Sequence, residues 1–250
     1  MKLETITALH IGSGDILQKD SDFVFGIDTE ERSVVYVINP RKVLALIGEE
    51  NVDTWTVAIE NGRSTEDIVK LYAPKASITD YSLHAIDSYL SSPAQQIKEF
   101  IRDGFDRPYI PGSSIKGAIR TAVLSSIAQA MNETDFLKNV KNKGNITPNT
   151  LEAKVFGKNP NYDVFRYVRV SDAFATGYRT GVYNMVNINE GGKNLFWDTS
   201  NEMATEVLLS GTEVDFSLVL KQPERRPKDM PAAPKALCSI DALLNVINNH

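Results

Sequence analysis

Tyr109-Ile110-Pro111-Gly112-Ser113-Ser114-Ile115-Lys116-Gly117-Ala118-Ile119-Arg120 is the stretch on which the rest of the chain turns. It has the form of a strand end, a forced turn and a helix start. Pro111 fixes its own φ and pushes Ile110 out of the helical region. Gly112 permits a backbone shape that a Cβ would resist. Ser113 or Ser114 can cap the helix by accepting from a free backbone N–H. Beyond the cap, Ile115, Ala118, Ile119, Ala122, Val123, Ile127 and Ala130 recur at helical spacing as a buried face. Lys116 and Arg120, four apart, share another face. Free N–H groups, hydroxyls and two cations at a helix start suit a phosphate or another anion. The same pattern equally describes a capped helix whose cations are merely solvated. It is not a P-loop, because Gly112 is followed five residues later by Gly117-Ala118 and not by Gly-Lys-Ser/Thr.

The 250 residues can bury a sizeable core, and 42% apolar with 24% charged residues is ordinary for a soluble globular protein. No apolar run approaches the ~18 residues that a membrane helix needs. The first residues lack the apolar core of a secretion signal, and the single Cys238 excludes an internal disulfide or a cysteine-based zinc site. The cytoplasm is the expected compartment. The net charge of −5 argues against nucleic acid until its distribution is examined. Residues 1–97 carry 8 Lys/Arg and 15 Asp/Glu, whereas residues 138–182 carry 8 and 3. An acidic protein thus contains one basic segment, and local patches rather than overall charge attract phosphate.

Upstream, Leu3 to Ile11 alternates as a strand and ends in the turn His10-Ile11-Gly12-Ser13-Gly14, whose glycines allow close backbone approach to a ligand. Phe23–Asp28 and Ser33–Ile38 form a hairpin, and Asn39-Pro40 starts a helix that Gly48 closes. Residues 49–95 form a helical insertion, with His84 as a packed histidine, and Ala94 to Ile101 adds a short helix. Downstream of the long helix, residues 132–148 form a polar loop with Lys138, Lys141, Lys143 and Gly144, and Thr150–Phe156 is helical. Val164–Val170 is a strand bearing Arg166 and Arg169, which regular alternation sets on opposite faces. Tyr178, Arg179 and Tyr183 interleave aromatic and cationic groups, the means by which single-stranded RNA is commonly held. Val182–Ile188 is a hairpin arm with Glu190-Gly191-Gly192-Lys193 at its tip. Two strands flank Gly211, a Pro-rich loop spans 222–234, and Ser239 caps a last helix.

With these residues laid out, the chain resembles the RAMP superfamily of type III CRISPR effector subunits. His10-Ile11-Gly12-Ser13-Gly14 is similar to that family's opening motif, and Tyr109 to Arg120 matches its second motif nearly residue for residue. Val168-Arg169-Val170-Ser171-Asp172-Ala173 resembles a third, and Glu206 to Thr212 a weaker fourth. The helical insertion resembles the branch that caps the 3′ end of the guide RNA in Csm (type III-A) complexes. The resemblance implies an α+β fold: a ferredoxin-like (RRM-like) core with a helical insertion and a β-hairpin extension. It implies one RAMP domain over 1–250, with the insertion at about 49–95 and a basic loop and hairpin region at about 138–200. The family's Gly-rich loop near the C-terminus has no counterpart after residue 212, so either this copy has lost the loop or the sequence is a shortened form.

The function implied is non-catalytic RNA binding in antiviral defence, with no cofactor, metal or membrane. Guide RNA, target RNA in the assembled complex, and other RAMP and small helical subunits are the expected partners. The expected RNA-binding residues are His10, Gly12, Ser13, Gly14, Ser113, Ser114, Lys116, Arg120, Arg166, Arg169 and Arg179. The competing reading is a RAMP-family endoribonuclease in which Asp20 or Asp22 recruits a metal or acts as a base, with His10 as another candidate base. A small-molecule enzyme has no support, since no nucleophile motif or cofactor fingerprint is present.

Overall fold

The chain leaves one folded unit after its first residues and returns to it twice. A computed structural model describes all residues except 143, 144, 147, 176, 190–195, 222–224 and 226. The hairpin tip at Glu190–Lys193 and the pair Lys143-Gly144 therefore lie outside the described residues. One unit comprises Met1–Leu3, Tyr109–Phe174 and Val214–His250, and the other Glu4–Pro108 and Ala175–Glu213.

Strands β1 (Lys2–Glu4) and β2 (Gly12–Gln18) precede the hairpin of β3 (Phe23–Ile27) and β4 (Ser33–Ile38). Helices α1 (Pro40–Ile47), α2 (Val52–Glu60), α3 (Thr65–Tyr72) and α4 (Ile78–Tyr81) follow. Then come β5 (Ser82–Ser88), β6 (Gln96–Phe100), β7 (Tyr109–Ile110) and the long helix α5 (Gly112–Gln129). Helix α6 (Glu133–Val140), the hairpin of β8 (Lys141–Asn142) and β9 (Asn145–Ile146), and α7 (Pro148–Phe156) are next. The chain continues through β10 (Val168–Val170), β11 (Ala173–Ala175), β12 (Thr180–Asn189), β13 (Phe196–Leu208), β14 (Glu213–Asp215) and β15 (Leu218–Leu220) to α8 (Ile240–Asn248).

The second unit is built on a seven-stranded sheet in the order β2-β6-β13-β12-β5-β4-β3. Val24, Val34, Tyr36 and Ile38 pack from one face against Val43, Ile47, Ala58, Ile68 and Tyr81 of the α1–α4 cluster. Phe23, Val35, Val37, Ile86, Ile97, Val182 and Ala204 form a core on the other face. Local signals start the helices where the sequence places them. The Asn39 side chain accepts from the Arg41 and Lys42 N–H groups, and Ser64 with Asp67 forms a capping box. In the first unit β1, β14, β11 and β7 form a four-stranded sheet. Phe174 lies opposite Tyr109, and their rings stack at 5.5 Å, which fixes the β7–β11 register.

Several expectations are corrected. The single strand over Leu3–Ile11 is absent; β1 ends at Glu4, and an isolated bridge between Leu9 and Leu208 holds the segment before β2. Gly12-Ser13-Gly14 is not a free turn but the start of edge strand β2, with an irregular register between Gly12 and Ile16. The helical insertion stops at Tyr81, because Ser82–Ser88 pairs with β4 and β12 inside the sheet. The helix expected over Ala94–Ile101 is β6, since pairing with β13 and β2 overrides a spacing of Ile97 and Phe100 that suits either element. Half of the loop at 132–148 is α6, whose start is fixed by the Asn132 side chain accepting from Asp135 N at 2.9 Å. Val164–Val170 is a 3-10 turn over Val164–Tyr167 followed by β10.

A buried charge pair closes the second unit. Glu206 on β13 is 0% exposed. Its Oε2 accepts from Phe100 N at 3.0 Å, and its Oε1 pairs with Arg102 Nη2. Arg102 also donates to Asp106 O at 2.9 Å, and Asp106 holds His84 Nδ1 at 2.6 Å. Removing one member strands the other charge out of water. Arg102→Ala is therefore expected to cost about 3–5 kcal/mol, read as a lowered midpoint in chemical denaturation.

Candidate functional site

The start of α5 is held by the chain that passes beside it. Pro111 occupies the N-cap position with φ −57° and ψ 135° and offers no side-chain acceptor. Gly112 is already helical, so Ser113 and Ser114 fall inside the first turn and do not cap it. The cap comes instead from Asp172, whose Oδ1 accepts from Gly112 N at 2.7 Å. Gly112 is required by proximity and not by an unusual φ. A Cβ there would stand 2.5 Å from Val170 O and 2.8 Å from Ser171 O. The second and third motifs thus meet in one contact, and the cap of α5 falls to Asp172, which the sequence marks only as a carboxylate just after a strand.

This arrangement sets what the helix start presents. Asp172 fills the Gly112 N–H at the positive end of the helix, and the Ser114 and Ile115 N–H groups donate to Pro111 O at 2.9 and 3.2 Å, so fewer free N–H groups remain than the sequence suggests. The Ser113 and Ser114 hydroxyls are exposed, and neither has a hydrogen-bond partner among the described residues. Gly117 is exposed one turn on, and a Cβ there would meet nothing within 4 Å. Lys116 is half-buried and has no hydrogen bond or ion pair among the described residues. Burial pulls its ammonium below the ordinary lysine value, Asp163 works against that shift and Arg120 adds to it.

Arg120 faces a different task. Its guanidinium pairs with Glu152 at 2.6 Å and Asp163 at 2.9 Å, 4.3 Å from the Phe156 ring centroid and 5.2 Å from that of Phe165. Burial opposes its charge, but the hydrogen bonds it donates to Asp163 and Glu152, with the charges of those carboxylates, outweigh burial and hold its pKa above the usual arginine value. The same Asp163 accepts from Phe165 N at 2.7 Å, so Arg120 ties α5 to α7 and to the 3-10 turn. Arg166 and Arg169 are both exposed, with the change from 3-10 turn to β10 falling between them. Arg166 donates to Asn161 O at 2.9 Å, whereas Arg169 has no partner among the described residues.

The remaining expected residues belong to the second unit. His10 Nδ1 lies 2.6 Å from Glu206 O, and because a carbonyl only accepts, Nδ1 carries the hydrogen. Its Nε2 would stand 3.3 Å from a Cβ on Gly12. Ser13 Oγ accepts from Asp15 N, and Gly14 takes φ +102°, a value that L side chains rarely adopt. Arg179 is held by Asp87. The carboxylates of the endoribonuclease reading have local tasks: Asp22 Oδ2 accepts from Gln18 N at 2.8 Å, and Asp20, at φ 71°, lies 3.6 Å from Lys19 Nζ. No cluster of three His, Cys, Asp or Glu side chains fit to hold a metal occurs among the described residues.

Residues 2–229 match the family model of the RAMP superfamily. The chain belongs to the RAMP superfamily. A stretch of 189 residues is 30% identical to the CRISPR system protein Csm5 of Methanocaldococcus jannaschii, covering 69% of this chain and 42% of that protein. A shorter stretch of 82 residues is 40% identical to Csm5 of Streptococcus thermophilus, covering 31% and 22%. The match thus spans less than half the length of either curated relative. The fold is similar to the crystal structure of T. onnurineus Csm5, with a TM-score of 0.64 and 22% identity over 88% of this chain and 67% of that one. A chain in a cryo-EM structure of a type III-A Csm–crRNA–target RNA ternary complex gives a TM-score of 0.63 at 22% identity, over 88% and 63%. The α+β RAMP fold expected from the sequence is the fold observed. No helix among the described residues is long and apolar enough to cross a membrane.

The two glycines of α5 should behave oppositely in thermal melts. Gly112→Ala drives a Cβ into backbone and should destabilise the chain, whereas Gly117→Ala should stabilise it by about 0.5–1 kcal/mol through helix propensity. Asp172→Ala removes the cap and should cost about 1 kcal/mol.

Proposed function

We propose that this chain is a non-catalytic RNA-binding subunit of a type III CRISPR ribonucleoprotein, which caps the 3′ end of the guide RNA and contacts neighbouring backbone subunits. The observation that carries the reading is the exposed face of the first turns of α5. Two hydroxyls and one half-desolvated lysine, none with a hydrogen bond or ion pair among the described residues, and a glycine with open space above it are grouped there. Nothing in the packing of the described residues needs Gly117, and a mid-helix glycine costs about 1 kcal/mol relative to alanine. Such a position is repaid when another backbone approaches the helix closely. Lys116 would meet a phosphate, and the Ser113 and Ser114 hydroxyls would donate to its oxygens. Arg166 and Arg169 extend the cationic surface of the same unit, while Arg120 acts through the fold.

His10, Gly12, Ser13, Gly14 and Arg179 would form a separate contact on the second unit. The similarity to Csm5 proteins supports the type III-A assignment, with guide RNA, target RNA and other RAMP and small helical subunits as partners in the cytoplasm. A non-catalytic role is supported by the local hydrogen bond from Gln18 N that engages the Asp22 carboxylate. Contacts of this kind read backbone and shape, so affinity should depend weakly on sequence and strongly on salt.

The test is fluorescence anisotropy of the full chain with labelled single-stranded RNA over a range of salt. Lys116→Ala and Arg169→Ala should each weaken binding across all sequences and reduce the salt slope by about 1. Gly117→Ala should weaken binding while raising thermal stability. Unchanged affinity in Lys116→Ala and Gly117→Ala would remove the α5 surface from the RNA site.

A further inference from the structure

The second unit carries an exposed aromatic pair that the α5 surface does not involve. Tyr89 directly follows β5 and Tyr183 lies on β12. Their rings stack with centroids 4.6 Å apart and planes 11° apart. Even so, the two residues remain 48% and 36% exposed. Strand register brings them together. Gly181 lies opposite Asp87 and Val182 opposite Ser88, and Tyr89 N donates to Val182 O at 3.0 Å. The Tyr89 ring then lies across Gly181, where a Cβ would stand 2.8 Å from it. Gly181 is the residue that lets the ring lie close to the sheet.

Cations flank the pair on the same face. Alternation along β12 puts Gly181, Tyr183 and Met185 on one side, while Val182 is buried on the other, and Arg179, just before the strand, is drawn to Asp87 opposite Gly181. Arg179 Nε and Nη2 both donate to one Asp87 oxygen, at 3.0 and 2.5 Å, and Nη1 has no partner among the described residues. In the other direction Tyr183 lies opposite Thr205, and Thr205 opposite Lys98. With strands about 4.8 Å apart, the Lys98 backbone lies about 10 Å from that of Tyr183. Lys98 has no hydrogen bond or ion pair among the described residues.

A stacked pair that serves the sheet alone gains most when neighbours cover it. Here aromatic surface stays in water between two cations with donors to spare, in a chain whose net charge is −5. A base has a π-face for the tyrosines and flanking phosphates for the cations, which are the two elements of sequence-tolerant single-strand binding. We propose that the Tyr89–Tyr183 pair is a stacking platform for an unpaired base of single-stranded RNA, with Arg179 and Lys98 meeting the adjoining phosphates. This inference rests on the RNA-binding reading above and adds a second contact of a different chemical kind.

The experiment uses the full chain and a labelled single-stranded RNA containing 4-thiouridine, with anisotropy, photo-crosslinking and peptide mapping. Tyr183→Ile keeps a strand-favouring side chain and removes the stack. It should weaken binding by about tenfold, the effect of losing one base–aromatic contact, and leave the salt slope unchanged. Tyr89→Phe with Tyr183→Phe keeps both rings and should bind like wild type. Crosslinks should map to Tyr89 or Tyr183. Wild-type affinity in Tyr183→Ile would overturn the platform. So would a variant that keeps RNA but sheds a co-purifying protein. If Tyr183→Ile fails to fold, the wild-type crosslinks decide alone, and adducts confined to other segments overturn the platform. Binding that depends on Lys116 but not on Tyr183 overturns this inference and leaves the α5 reading standing, whereas a wild-type chain that binds no RNA overturns both.

Discussion

A single hydrogen bond, from Gly112 N to the Asp172 carboxylate, together with the close approach that allows it, conditions most of the first unit. Gly112 can lie against Val170 and Ser171 only because it lacks a Cβ. That approach brings Asp172 within reach of the helix terminus, where its negative charge is favoured by the helix dipole. Once a distant carboxylate caps the helix, the local serines are released from capping. Stability and surface chemistry are thereby assigned to different residues. Asp172 and Gly112 secure the helix, and Ser113, Ser114 and Lys116 are left facing outward.

The charged residues divide in the same way. Arg120 and Lys116 are one turn apart and were indistinguishable as cations in the sequence. Arg120 finds two carboxylates and two aromatic rings, and these compensate its burial. Lys116 is partly desolvated without such partners, and its lowered pKa records the cost. Burial makes the charge of Arg120 part of the structure and leaves that of Lys116 available. The Arg102–Glu206 pair in the second unit is of the first kind, with a fully buried carboxylate satisfied by a guanidinium and a backbone N–H.

What could be read from the sequence follows the range of the interactions. The apolar spacing along α5, the β3–β4 hairpin and the Asn39 and Ser239 caps each depend on residues within a few positions, and the sequence places them correctly. The α+β class followed from the family resemblance. The sequence of strand β6 suits a helix as well, because its identity depends on β13, about a hundred residues away. The bulge at Gly14, the cap from Asp172 and the Arg102–Glu206 pair depend equally on partners remote in sequence. Of the candidate site residues, Arg120 shows the limit most clearly: its spacing from Lys116 was legible, but Glu152 and Asp163, 32 and 43 positions on, decide what it does.

The threading of the chain also constrains when the protein can form. The amino-terminal ammonium of Met1 donates to Phe216 O at a separation of 215 residues, and β1 pairs with β14. At ribosomal rates of ~5–20 residues per second, the first strand waits on the order of ten to forty seconds for its partner to be made. The four-stranded sheet therefore cannot close before β14 and Phe216 have been made. The Gly112–Asp172 contact, only 60 residues apart, is available much earlier. Folding of the first unit can thus begin at the contact that later presents the α5 surface, before the amino-terminal strand has its partner.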